Sequence, residues 1–192
     1  MDGMVKRRFK LRKTSGKKLT DRLRLTPTQL KQRAKNLKLV LTDNDGVLTD
    51  TGVYYSETGE VLKRFSIRDG MGVELLRENG IETAIITSET SPSVQRRAEK
   101  LKMPRIYIGI KDKHAHLETV MAENNLTMDQ LGYIGDDVND LSIIQAIRES
   151  GLTAAPADAM QIVSTAVHYR CRKNAGHGAF RDFADWIIRL RE

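Results

Sequence analysis

Three carboxylates, Asp43, Asp45 and Asp50, fall within the stretch LVLTDNDGVLTD at residues 39 to 50. They begin where a short apolar run, Leu39-Val40-Leu41, should end as a buried strand. Like charges held that close raise one another's pKa unless something positive stands among them, so a cation is their natural counterpart. Asp43 and Asp45 are two apart, and an extended backbone turns both side chains the same way. More polar groups follow at the ends of later apolar runs. Thr87 closes AIIT with Ser88 behind it, Lys113 comes after RIYIG, and GDDVND supplies Asp136, Asp137 and Asp140. Singly, these are ordinary turn, cap and surface residues. Together, carboxylates, a hydroxyl and a lysine suit a hard cation and a phosphate. Mg²⁺ takes a few oxygen ligands and keeps water and substrate phosphate, and Lys113 would offset the negative charge.

Such a site needs a scaffold that gathers four distant segments, and the chain's rhythm supplies one. Thr26 or Thr28 caps a short helix through QLKQRAKNL, which leads into the first strand. GVYYSETGEVLKRFSI alternates and turns at Thr58-Gly59, which predicts a β-hairpin over about residues 51 to 66. The Tyr54-Tyr55 pair in it reads as hairpin packing. Strands and helices then alternate: MGVELLREN helix, IETAIIT strand, SVQRRAEKL helix, RIYIG strand, and a helix from about Lys113 to Asn124. GYIG, VNDLSIIQAIRES, LTAAP and AVHY continue as strand, helix, strand, strand. The last helix, GAFRDFADWIIRLR, places Phe180, Phe183, Ile187 and Leu190 on one face. Repeated βα units predict an α/β fold, a Rossmann-like parallel sheet with helices on both sides. Ligands in such folds bind beyond the carboxyl ends of the strands, where the polar groups fall. His114 and His116, two apart on a predicted helix, would face different ways, which argues against a zinc site.

The 192 residues suffice for one core, and no apolar run approaches the length of a membrane span. The N-terminus shows no apolar signal segment, and Cys171, the single cysteine, excludes an intrachain disulfide; both fit a cytoplasmic protein. The net charge of +7 is unevenly spread. Residues 1 to 38 hold 14 Lys or Arg against two Asp, whereas the other 154 hold 18 basic and 23 acidic side chains. A basic, flexible arm over residues 1 to 25 thus precedes a mildly acidic body over 26 to 192. The arm could meet nucleic acid, but no aromatic platform or second basic stripe in the body supports that partner.

The order D-x-D-G-V-x-T-D, then T, then K, then G-D-D-x-N-D resembles the haloacid dehalogenase superfamily of phosphatases. Within it, YYSETGEVLKRFSIRDGMGVELL is similar to the group that dephosphorylates 2-keto-3-deoxy sugar acids, typified by 3-deoxy-D-manno-octulosonate 8-phosphate phosphatases. The resemblance runs from about Leu39 to the C-terminal helix. It implies that Asp43 is the nucleophile that forms an aspartyl-phosphate and Asp45 the general acid and base. Thr87 and Lys113 would hold the phosphate, and Asp43, Asp136 and the backbone carbonyl of Asp45 would hold Mg²⁺. Asp137 and Asp140 would orient these groups from behind. The hairpin would be the whole cap, through which four copies assemble and complete one another's sites. Ser66, Ile67, Arg68, Asp69, Gly70 and Arg97 would contact the sugar. NAGHGAFRD resembles the glycine-rich tail that reaches toward an active site, with His177 inside it.

Three positions depart from the octulosonate pattern. Ser88 replaces a usual Gly, and Glu89 and Glu74 stand where Arg is expected. Two anions in place of two cations make a pocket less suited to a compact, doubly anionic substrate. TSET looks more like relatives that act on nine-carbon acids, such as N-acetylneuraminate 9-phosphate. Similar domains are attached to sialic-acid cytidylyltransferases. Two other readings compete: a phosphatase for nucleic-acid ends that uses the basic arm, and a non-catalytic assembly module of the same fold.

Overall fold

The computed structural model describes residues 25 to 192. The basic arm expected over residues 1 to 25 lies, apart from Leu25, outside the described residues. Thr26 opens helix α1 (Pro27–Asn36): its hydroxyl accepts from the Gln29 amide at 3.3 Å, and the Gln29 side chain accepts from the Thr26 amide at 2.8 Å. Of the two threonines, Thr26 is therefore the cap.

Strand β1 (Leu39–Thr42) is buried throughout and leads into the hairpin of β2 (Thr49–Ser56) and β3 (Gly59–Phe65). The two-residue turn is Glu57-Thr58, one position before the expected one, and Gly59 follows with φ +113°. Glycine has no Cβ to resist that conformation. Helix α2 begins at Ile67 and runs to Glu78, four residues before the helix expected from Met71. The Ser66 hydroxyl accepts from the amides of Arg68 and Asp69 at 3.1 and 3.4 Å, so the cap ends the extended run there.

The remaining elements are β4 (Glu82–Ile86), α3 (Pro92–Lys100), β5 (Arg105–Tyr107), α4 (Leu117–Asn124), β6 (Leu131–Ile134), α5 (Leu141–Ile147), β7 (Leu152–Ala155), α6 (Gln161–Ser164), β8 (Tyr169–Arg170) and α7 (Ala179–Arg191). Helix α4 starts at Leu117, because Asp112 holds the preceding residues as turns by accepting from the Ala115 amide at 3.0 Å. Lys113, His114 and His116 therefore precede the helix. Residues Val138–Asp140 form a 3-10 turn before α5, and the strand expected at AVHY is displaced to Tyr169–Arg170. Short helix α6 carries too little periodicity to be read from sequence.

The main sheet has the order β5-β4-β1-β6-β7-β8, with every pairing parallel. Apolar layers cover both faces. One packs Ala34, Val73, Leu76, Val94, Phe180, Phe183 and Ile187 from α1, α2, α3 and α7. The other packs Leu117, Val120, Ile143, Ile144 and Ile147 from α4 and α5. Arg33 fastens α1 to the body by donating to the carbonyls of Arg148, Glu149 and Gly151 at 2.6 to 2.9 Å. Strand order reverses at β1, which has β4 on one side and β6 on the other. The crevice at the carboxyl end of β1 is the natural ligand position in such a sheet.

Candidate active site

Asp43 is the first residue past β1, Thr87 the first past β4, and Asp136 the second past β6. Parallel pairing in register brings these three strand ends together. They line an open cleft of about 220 Å³ with Asp45, Thr51, Ser88, Glu89, Asp137 and Asn139. Lys113 reaches the floor from the loop after β5 and is almost wholly buried.

The floor is a closed set of charges. Lys113 Nζ lies 2.9 Å from Asp43 Oδ2 and 2.7 Å from Asp140 Oδ1, and it donates to the Tyr133 hydroxyl at 3.3 Å. That hydroxyl in turn donates to Asp140 Oδ1. Asp140 Oδ2 accepts from the Asp136 amide at 2.9 Å, and Asp43 Oδ1 accepts from the Asn44 amide at 2.7 Å. Asp140 thus spends both oxygens on protein partners and holds Lys113 and the Asp136 backbone in place. Asp137 caps the 3-10 turn by accepting from the Val138 amide at 2.6 Å while bordering the cleft. The Thr87 hydroxyl accepts from the Glu89 amide at 3.2 Å, which leaves its own proton free to donate.

Oxygens of Asp43, Asp136 and Asp140 lie within 4.8 Å of one another, a group able to hold a metal. With Asp140 occupied, Asp43 and Asp136 are the carboxylates left for an ion, which matches the sparse ligation Mg²⁺ accepts. Their electrostatics point the same way. Burial, then the nearby Asp140, pushes the Asp43 carboxyl up to about 7 despite Lys113. Burial, then Asp43 and Asp140, pushes Asp136 up to about 8. One lysine does not offset three carboxylates, and a divalent cation would reverse both shifts. Gly46, with φ +86°, makes the approach possible: a Cβ there would stand 2.0 Å from Asp136 Oδ2.

Asp45 and Asp50 part from Asp43. Lys63 Nζ, from β3, lies 2.8 Å from each Asp45 oxygen. Arg64 Nε donates to Asp50 Oδ2 at 2.6 Å and so ties the two hairpin strands at their root. Lys63 and Tyr133 are site residues that the sequence reading missed. Period two places Lys63 on the same face of β3 as the half-buried Phe65, and that was the available signal.

Of the expected substrate residues, Ser88 and Glu89 line this chain's own cleft, and the others do not reach it. Ser66 caps α2 and its carbonyl accepts from Arg97 Nη2 at 2.8 Å; Arg97 also lies over the Phe65 ring. Gly70 passes Arg97 so closely that a Cβ would come within 2.7 Å of Nη2. The buried Asp69 caps the start of α7, accepting from the amides of Gly178 and Arg181 at 3.1 Å each. Helical geometry turns Asp69 and Gly70 inward and leaves Ile67 and Arg68 outside, where they line a second hollow with Arg64, Phe65, Ser66, Gly176 and His177. His177 Nε2 is 2.9 Å from Arg64 Nη2, so the glycine-containing tail rests on its own hairpin root. Glu74, half-buried on α2, does not line the cleft, whereas Glu89 does. Tyr54 and Tyr55 do not pack within the hairpin; they are 57% and 73% exposed.

No family model matches the chain. It is 36% identical over 162 residues to the 3-deoxy-D-manno-octulosonate 8-phosphate phosphatase of Haemophilus influenzae, a span of 84% of this chain and 88% of that protein. It is 31% identical over 84% of its length to N-acylneuraminate cytidylyltransferase A of Danio rerio, of which the match covers 37%. Its fold is similar to that of the Moraxella catarrhalis octulosonate phosphatase, solved with magnesium, phosphate and a 3-deoxy-D-manno-octulosonate molecule. That likeness has a TM-score of 0.79 at 31% identity and covers 85% of this chain and 92% of the other.

Proposed function

Because the chain belongs to the 3-deoxy-D-manno-octulosonate 8-phosphate phosphatase family of the haloacid dehalogenase superfamily, we propose that it is a Mg²⁺-dependent phosphatase of 2-keto-3-deoxy sugar acid phosphates. The observation that carries the reading is the convergence of Asp43, Thr87 and Asp136 on one cleft above the buried Lys113. Asp43, Asp136 and the Asp45 backbone carbonyl would hold Mg²⁺, which when bound supplies positive charge against the phosphate and carboxylates. Asp43 attacks phosphorus while Asp45 gives a proton to the departing sugar oxygen. Asp45 then takes a proton from the water that hydrolyses the aspartyl-phosphate. Thr87 and Lys113 would hold the phosphate, with Lys113 also aiming the Asp43 carboxylate, whose ionisation the bound cation would favour.

The body alone does not enclose a sugar. Tyr55, Leu62 and Ile67 are 73%, 63% and 85% exposed on and beside the hairpin, an apolar surface suited to burial between copies. Assembly as a tetramer would cover it and bring Ile67 and Arg68 of one copy toward the cleft of another.

The nine-carbon acids are the favoured substrates. Glu89 borders the cleft where a cation would serve an octulosonate carboxylate, and a carboxylate can instead accept from the extra neutral hydroxyls of a nonulosonate. Bonds of this charge-assisted kind contribute roughly 1.5–3 kcal/mol, about tenfold to a hundredfold in selectivity. Phosphate release from octulosonate 8-phosphate and nonulosonate 9-phosphate, with Mg²⁺, tests the reading. Wild type should prefer the latter by kcat/KM, and Glu89→Arg should move the ratio toward the former by about tenfold or more. Preference of wild type for the octulosonate would remove the nine-carbon reading, and no release from either would remove the sugar-acid reading.

A further inference from the structure

We infer that Lys63, carried by the hairpin, positions the Asp45 carboxylate for proton transfer, so that the cap takes part in the chemistry as well as covering it. The inference rests on the reading of Asp45 as acid and base. Lys63 Nζ lies 2.8 Å from both Asp45 oxygens, and its side chain is only 2% exposed. Asp45 Oδ1 also accepts from Asn44 Nδ2 and from Thr49 Oγ1, each at 3.1 Å. A carboxylate oxygen has two lone-pair sites, so Oδ1, with three donors, is fully engaged. Among the described residues Oδ2 has Lys63 as its one donor and keeps a lone pair. Oδ2 is therefore the atom at which a proton is given and taken.

Without Lys63, Oδ2 would have no partner among the described residues, and the carboxylate would be held through Oδ1 alone, free to swing. Lys63 is itself braced from behind. Glu60 Oε2 lies 3.5 Å from its Nζ, and Glu60 Oε1 accepts from the Ser91 hydroxyl at 2.6 Å. Ser91 stands at the start of α3, just beyond Ser88 and Glu89 at the cleft rim. A polar chain thus runs from rim to acid through the hairpin.

In the first half-reaction the Oδ2 proton passes to the sugar oxygen as its bond to phosphorus breaks with the electron pair, and an Asp43 oxygen bonds to phosphorus. In the second, a water oxygen bonds to phosphorus, its proton passes to Oδ2, and the bond from phosphorus to Asp43 breaks, restoring the carboxylate. A sugar alkoxide needs that first proton to leave; p-nitrophenolate does not.

The test compares kcat/KM, which reports the steps through loss of the leaving group, for a sugar-acid phosphate and for p-nitrophenyl phosphate. Full-length wild type, Lys63→Met, Lys63→Arg and Asp45→Asn are assayed with Mg²⁺. Lys63→Met should lose about tenfold to a hundredfold on the sugar ester and less than about threefold on the aryl ester. Lys63→Arg should recover most of the loss, because it restores a cationic donor. If Lys63 only pinned the hairpin to the body, both esters would suffer equally, and that result overturns the proposal, as does no loss on either. Asp45→Asn separates the levels. If it too fails to discriminate the esters, the role of Asp45 falls; if it discriminates and Lys63→Met does not, only the positioning role falls.

Discussion

The strand-end cleft and the hairpin are built on opposite principles. In the cleft, Lys113, Asp140, Tyr133 and Asp43 are buried and satisfy one another, so each group is fixed by its neighbours. The hairpin exposes Tyr54, Tyr55, Val61 and Leu62, and polar contacts of Glu60 with Ser91, Lys63 with Asp45 and Arg64 with Gly176 and His177 join it to the rest. Buried ionic networks hold geometry at a cost in desolvation. An isolated two-stranded hairpin is marginal in water and gains by packing. On the proposed reading, the reacting groups would therefore be complete within one chain while the enclosure of the substrate would need another.

Breaking the cleft should give the largest effects. Asp43→Asn should lower kcat by at least about a thousandfold, since an amide does not replace a carboxylate nucleophile. Oligomer mass should stay unchanged; a variant with near-normal turnover would exclude the covalent route. Gly46→Ala should act through Asp136 without touching a reacting atom. The added Cβ meets that carboxylate in a backbone conformation an L side chain rarely adopts. Isothermal titration should show Mg²⁺ affinity lowered by about tenfold to a hundredfold, the range for disturbed support of a metal ligand. Unaltered affinity would mean that Asp136 does not hold the ion.

Breaking the hairpin should act more mildly and through assembly. Leu62→Glu adds a charge to the exposed apolar face and should reduce particle mass in light scattering. A fall in kcat/KM of roughly tenfold, about 1.4 kcal/mol of transition-state stabilisation, should accompany it. A fully active monomer would show that the chain closes its own site.

The smallest effect is on stability and distinguishes the cleft by pH. Asp43 and Asp136 titrate near 7 and 8 when folded and near 3.8 when unfolded, so between those values the folded chain binds more protons. Stability without metal must then fall as pH rises, and level off above about 8. His168 opposes this only at lower pH. Burial, with Arg33 and Arg148 nearby, lowers it from 6.5 to about 4, and its neutral Nδ1 accepts from the Thr153 amide at 3.1 Å. Between pH 6.5 and 8 His168 no longer opposes the fall that Asp43 and Asp136 produce. Metal-free Tm should drop by about a few degrees across that window, Mg²⁺ should restore more at pH 8 than at 6.5, and Asp43→Asn should flatten the drop. A Tm that rises with pH would contradict the crowding of Asp43 and Asp136.

What could be read from the sequence was local. Contiguous apolar runs mark β1, β4, β6 and β7, and the polar residues that end them lie where parallel strands deliver them. Strands of four or five residues need no long-range partner to be recognised. Lys63, Tyr133 and Asp69 are different. Lys63 meets Asp45 from 18 residues away, and Asp69 caps a helix 109 residues downstream of it. No local pattern encodes such pairs. The same limit explains the start of α2: the alternation of GEVLKRFSI runs smoothly into Ser66, and only the cap's hydrogen bonds end it. The chemical roles of the strand-end residues came from resemblance, since spacing alone leaves turns and caps as alternatives.

The covalent role of Asp43 is most directly tested by trapping it. Asp45→Asn lacks the base that activates water, while p-nitrophenyl phosphate needs no proton to leave, so the phosphorylated form should accumulate. The variant is mixed with that ester and Mg²⁺, quenched in acid within the first turnover, and digested for mass spectrometry. The peptide bearing Asp43 should carry one phosphoryl group, lost on treatment with hydroxylamine. Release of p-nitrophenolate and phosphate together, with that peptide unmodified, would contradict an aspartyl-phosphate at Asp43.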